Sequence, residues 1–167
     1  LLPQGMDLVL IFWADDEAEV YLNDYRLSAS RLTVTQVDIP DFYVRSQNVL
    51  RARCWDTDRV ESGFMAGLYL RDGSTGALRL VLGTGASHWR GPQGRVDEIY
   101  YNHELPDIPG AEVIWGRQLF GEVLLETSFG AATLQAAMQQ HPASINVEAR
   151  LEPMESHQVV ARLVQLQ

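Results

Sequence analysis

Hydrophobic and polar positions in this chain alternate with a period of two, most clearly around residues 14–25. From Glu17 to Asn23, Ala18, Val20 and Leu22 fall on one face and Glu17, Glu19, Tyr21 and Asn23 on the other, which predicts a strand laid over a core. Asp15 and Asp16 form a tight acidic turn ahead of it, and Asp24 to Ser28 reads as a polar turn behind it. Upstream, Asp7 to Trp13 is an apolar run rich in β formers, expected as a core strand ending at the acidic turn. Downstream, Leu32 to Ile39 alternates until Pro40 breaks the ladder. Asn48 to Asp56 sets Arg51 and Arg53 opposite Leu50, Ala52 and Cys54.

The second half is punctuated by glycine and proline. Gly63 to Arg71 and Ala77 to Leu82 flank Asp72-Gly73-Ser74-Thr75-Gly76, a hairpin turn whose glycines supply positive φ. Between Gly83 and Gly121 only Val96 to Tyr101 and Glu112 to Trp115 read as short strands. Ala131 to Gln140 carries Leu134, Ala137 and Met138 on one helical stripe, and Pro142 stops it. Ile145 to Leu151 and Gln158 to Leu166 close the chain as strands. Many short strands with one short helix near residues 131–140 predict an all-β fold, an antiparallel β-sandwich or barrel. The want of crossover helices excludes a parallel α/β fold. At 167 residues the expectation is one domain.

A net charge of −9 argues against nucleic acid and against an anionic membrane surface, both of which need clustered cations. All thirteen basic residues are arginine, so every cation on the chain is a planar, fork-shaped guanidinium. The single cysteine, Cys54, excludes an internal disulfide and a cysteine-cluster zinc site, and its place in an alternating run reads as buried. No apolar run approaches the roughly 18 residues that span a bilayer. The start at Leu1-Leu2-Pro3 suits a removed leader or an excised domain. In the last expected strand Val160, Val164 and Leu166 oppose Val159, Ala161 and Leu163, which with the apolar Leu1-Leu2-Pro3 points to burial on both sides and so to an assembly, a homo-oligomer or a multidomain context.

Signatures of hydrolases, metalloproteases, P-loops and redox dithiols are absent. Gly83 to His88 starts like a dinucleotide fingerprint, but Trp89-Arg90-Gly91-Pro92 cannot continue as the required helix. Ser87 and His88 are adjacent, and in extended chain their side chains diverge. His88, His103, His141 and His157 share no metal-ligand spacing. Carboxylates offer more. Asp15, Asp16, Asp56 and Asp58, with Glu61, Asp97 and Glu98 behind them, supply the hard oxygens that calcium prefers. Solvated strand-end turns and paired acids for glycoside hydrolysis are the other roles open to them.

Aromatic residues make the best case for ligand binding, because flat rings stack on the apolar faces of sugars while polar neighbours hold the hydroxyls. Trp13 and Trp55, next to strand ends, are expected in the core. Trp89 stands between His88 and Arg90 in a loop, where core and ligand roles are open. Tyr21, Tyr25, Trp89, Arg90 and Tyr101 are the candidate contacts.

Three segments, Asp15 to Asn23, Gln47 to Asp56 and Ser87 to Arg90, occur in order and resemble landmarks of the galactose-binding-like jelly-roll domain over roughly half the chain. Asp24 and Gln47 depart from the pattern where glycine is usual. The resemblance implies a jelly-roll sandwich outside the cytoplasm, extracellular, periplasmic or at the cell surface. It implies a non-catalytic accessory module, commonly carbohydrate-binding, often with a structural calcium. Other such sandwiches accompany glycoside hydrolases or join envelope assemblies through protein contacts. Its topology would also set Glu17 and Glu19 against Arg51 and Arg53 across the sheet.

Overall fold

An apolar run covered on two sides forms the spine of the molecule. The computed structural model describes residues 1–92, 97–98, 101, 103–117, 120–144, 148–151 and 160–162, with backbone alone for 97–98, 148–151 and 160–162. Strand β1 (Met6–Asp15) buries Leu8, Leu10, Phe12 and Ala14 in the main core. Its opposite face, Val9, Ile11 and Trp13, packs with Met65, Tyr69, Leu78, Ile108 and Val113 in a second cluster. Both faces are dry, so the run is continuous rather than alternating.

The chain then builds β2 (Glu17–Leu22), β3 (Tyr25–Arg31), β4 (Thr35–Ile39), a 3-10 turn (Asp41–Tyr43), β5 (Gln47–Asp56), β6 (Gly63–Asp72) and β7 (Leu78–Gly83). Strands β8 (Asp97–Glu98), β9 (Ile114–Trp115) and β10 (Gly121–Gly130), helix α1 (Ala131–Ala137), β11 (Glu148–Leu151) and β12 (Val160–Arg162) complete it. One sheet runs β12-β11-β4-β1-β6-β9-β8, with β7 also on β6, and the other runs β10-β5-β2-β3. The pairings are antiparallel except β11 on β4. The fold is an all-β sandwich of two sheets with one short helix.

The expected strands at β1, β2, β4, β5 and the β6–β7 hairpin are present. The polar turn expected over Asp24 to Ser28 is instead a two-residue turn at Asn23-Asp24 followed by β3, which pairs with β2. Asn23 makes this possible: it takes a φ of 56°, which asparagine tolerates better than most residues. A ten-residue strand, β10, lies where the pattern suggests none and pairs with β5 along its whole length. The helix stops at Ala137, short of Gln140, with Leu134 and Ala137 buried. Of the strands expected over 96–101, 145–151 and 158–166, β8, β11 and β12 are the described parts, and the remainder falls largely outside the described residues.

On the outer face of the second sheet, β5 does lie beside β2 and Glu19 stands opposite Arg53 in register, but Arg51 and Arg53 make no ion pair with Glu17 or Glu19. They turn to β10, where Arg51 meets Glu126 at 3.1 Å and Arg53 meets Glu122 at 2.5 Å. Glu17 and Glu19 turn the other way, to Arg31 at 2.8 Å and Arg26 at 3.5 Å on β3. Cross-strand neighbours on both sides compete for each charge, and exposed pairs of this kind contribute about 0.2–1 kcal/mol each. No helix among the described residues is long and apolar enough to cross a membrane.

Candidate metal centre and aromatic surfaces

β1 ends at Asp15 and β2 begins at Glu17, so Asp15 and Asp16 stand where the chain leaves one sheet and enters the other. The Asp15–Asp16 peptide is cis. Glu17 pairs with Trp55 in register, and the Asp16 amide donates to the Trp55 carbonyl at 2.9 Å, which brings the end of β5 alongside. One oxygen of each of Asp15, Asp16, Asp56 and Asp58 then lies within 4.8 Å of the others; Asp58 is exposed and the rest are buried.

Each carboxylate is held at one oxygen by a nearby donor. The Tyr101 hydroxyl donates to Asp15 Oδ2 at 2.7 Å. Asp16 Oδ2 accepts from the Thr57 amide at 2.6 Å and the Thr57 hydroxyl at 2.9 Å. The Arg59 amide donates to Asp56 Oδ2 at 2.9 Å, and the Val60 amide to Asp58 Oδ1 at 3.0 Å. Asp56 Oδ1 is buried with no hydrogen-bond partner. None of the four is paired with a cation among the described residues.

Burial raises the Asp15 carboxyl to about 6, opposed by the Tyr101 bond and reinforced by Asp16 and Asp58. Burial also pushes Asp56 up. At Asp16 burial acts in the same direction, but the Thr57 amide and hydroxyl outweigh it and hold the carboxyl below its ordinary value. Burial and the Asp15 bond raise the Tyr101 phenol. Glu61 stands beside this group and holds His103 Nδ1 at 2.8 Å, which raises the His103 imidazole. The donor set is oxygen only, the preference of a hard cation and not of zinc. The side chains of Asp97 and Glu98 lie outside those described.

The candidate ligand contacts do not converge. Trp89 is 2% exposed, edge-on to Phe64 at 5.9 Å, with its Nε1 donating to the Gly83 carbonyl at 3.1 Å. It is a core residue and presents no face to a ligand. The cause is the backbone bridge between Arg90 and Glu126, 2.8 Å in both directions, which pins this segment on β10 and turns the indole inward. Arg90 itself is exposed and lines a shallow cavity of about 190 Å³ with Gly91, Pro92, Leu124 and Glu126. Tyr21 lies on the outer face of the second sheet and donates to Glu19 at 3.0 Å. Tyr101 is half-buried, edge-on to Trp13 at 5.3 Å, and is occupied by Asp15.

Two further expectations change. Trp55 is half-buried on the outer face, under the Arg53 guanidinium at 4.9 Å, and not in the core. Ser87 and His88 do not diverge, because they sit in a turn and not in extended chain. Ser87 Oγ lies 3.0 Å from His88 Nδ1, while His88 Nε2 donates to the Gly83 carbonyl.

Tyr25 stacks on Tyr43 with ring centres 3.9 Å apart and planes 2° from parallel. Phe42 stands edge-on to both and is 74% exposed. Asn23 fixes this corner: its Nδ2 donates to the Tyr43 carbonyl at 2.8 Å and to Asn48 Oδ1 at 3.0 Å, and its Oδ1 accepts from the Val49 amide at 3.0 Å. The Arg45 guanidinium sits 6.0 Å from the Tyr25 ring centre and 3.5 Å from Asp24.

No family model, curated protein or solved structure matches the chain. Its sites are therefore read from their own geometry. Phe42, Tyr43 and Arg45 were not among the expected contacts. The available signal was Phe42-Tyr43 directly after Pro40-Asp41, two aromatics in a turn where no strand alternation requires them.

Proposed function

We propose that the chain is a non-catalytic β-sandwich module that recognises a carbohydrate or surface polymer at the corner of Tyr25, Phe42 and Tyr43. The observation that carries this reading is Phe42, a large apolar ring left 74% exposed on a turn that Asn23 ties down from behind. A rigid aromatic platform of this kind stacks on the C–H face of a sugar with little loss of side-chain entropy. Arg45 and Asp24 stand at its edge, placed to meet hydroxyls. An extracellular, periplasmic or cell-surface setting belongs to the same proposal through the galactose-binding-like resemblance.

The second reading is a subunit of an extracellular or envelope assembly. It is favoured by the same exposed ring lying next to β3, which is an edge strand of its sheet. A glycan and polymer array with the parent chain and Phe42→Ala tests the pair. Binding at millimolar affinity or better, lost by at least about tenfold in Phe42→Ala, is the expected result for an anchor ring. Equal binding by the variant refutes the proposed corner. No binding, with concentration-dependent oligomers in light scattering that Phe42→Ala disperses, assigns the corner to a protein partner instead.

A further inference from the structure

Burying carboxylates without a counter-ion is costly, and Asp15, Asp16, Asp56 and Asp58 bring together four, three of them buried, with no cation partner among the described residues. Asp56 adds an independent sign. It is 5% exposed, its Oδ2 is satisfied by Arg59, and its Oδ1 has no hydrogen-bond partner although it belongs to a group beside Asp16 and Asp58. A buried lone acceptor among other acceptors is left to be completed by an ion, a water or a proton.

We propose that Asp15, Asp16, Asp56 and Asp58 hold a calcium ion at the seam between the two sheets. Their oxygens, all within 4.8 Å of one another, fit on one calcium shell, whose opposite ligands stand about 4.6–5.2 Å apart. The magnesium shell is narrower, about 4.0–4.2 Å across, and magnesium prefers to keep its waters. Tyr101, Thr57, Arg59 and Val60 each grip one carboxylate oxygen and so orient the donors ahead of binding. The ion joins the end of β1 and the entry to β2 with the end of β5 and the turn after it. This inference is independent of the aromatic corner.

Terbium is the probe and Tyr101 its sensitiser, since the phenol oxygen lies 2.7 Å from Asp15 Oδ2. The full chain freed of metal by a chelator should give saturable terbium luminescence on tyrosine excitation. Calcium should displace it at a concentration at least about tenfold below that needed with magnesium. Calcium should also raise the melting temperature by about 5–10 °C at a hundredfold excess over its dissociation constant. Asp56→Asn should weaken terbium and calcium binding at least about tenfold, whereas Asp7→Asn, which alters an exposed acid at the far end of β1, should leave both unchanged. Should Asp56→Asn fail to fold, the melting shift of the parent with calcium against magnesium decides. Half-saturation above about 10 mM, equal titrations of Asp56→Asn and Asp7→Asn, or no melting shift with calcium overturns the proposal, leaving the aspartates to share protons.

Discussion

Replacing Trp89 separates a core indole from a recognition indole. The ring is sealed against Phe64, and its Nε1 donates to the Gly83 carbonyl at 3.1 Å. Trp89→Ala removes that contact area, the hydrogen bond and the filling of the space, and such truncations cost about 3–5 kcal/mol. Against a total of about 5–15 kcal/mol, this is a large share of the stability of a domain this size. At about 2–4 °C per kcal/mol the melting temperature should fall by about 6–20 °C. Trp89→Phe should cost less, because Gly83 O still accepts from His88 Nε2 at 2.6 Å and most of the ring volume is retained. Urea unfolding followed by far-ultraviolet circular dichroism, beside thermal melts, measures both. If Trp89→Ala melts within about 2 °C of the parent, the indole is not sealed in the core and Trp89 returns as a ligand contact in place of Phe42.

Two more outcomes follow from local geometry. A Cβ on Gly83 would fall 1.9 Å from the Gly110 carbonyl oxygen, so Gly83→Ala must push residues 108–112 outward. That breaks the Glu112–Thr84 amide bond of 2.9 Å and the Thr84 hydroxyl bond of 2.7 Å, and guanidinium unfolding should report a loss of at least about 2 kcal/mol; an unchanged midpoint counts against it. Asp72 accepts from the Ser74 hydroxyl at 2.7 Å and the Ser74 amide at 2.8 Å, which holds its carboxyl below the ordinary 3.8. A depressed folded value means that this contribution is present above the unfolded pKa and lost as pH falls through the folded one. A carboxyl carbon titration by nuclear magnetic resonance should place Asp72 below 3.8, and a midpoint at or above it contradicts the turn geometry.

What the pattern of residues reveals depends on where water lies. β2 and β5 each have one wet face, so their alternation is legible, and the Asp72 to Gly76 turn advertises its hairpin. β3 is an edge strand opposite a register shift at Val20/Tyr21, and its mixed Tyr-Arg-Leu-Ser sequence reads as a turn. β10 is masked by Val123-Leu124-Leu125, where Leu124 is 40% exposed on the outer face and breaks the period. Asp15, Asp16, Asp56 and Asp58 were visible as calcium-type ligands. Their convergence rests on the Glu17–Trp55 register, a pairing between segments some forty residues apart that local pattern does not encode. Trp89 reads as a loop residue because its neighbours are polar, yet the Arg90–Glu126 bridge, a tertiary contact, turns it inward.

The outer cover of β1 also guards the molecule against itself. Leu8 to Trp13 is six apolar residues without charge, proline or glycine, the composition of a self-templating ribbon. Its Val9, Ile11 and Trp13 side is shielded by Ile108 and Val113, in a segment fastened by the Tyr69 hydroxyl on the Pro109 carbonyl at 2.6 Å. A nick or insertion that frees this segment would therefore do more than loosen a loop. It would bare a strip of chain suited to stacking on copies of itself, so solubility depends on a tether at the Tyr69–Pro109 contact.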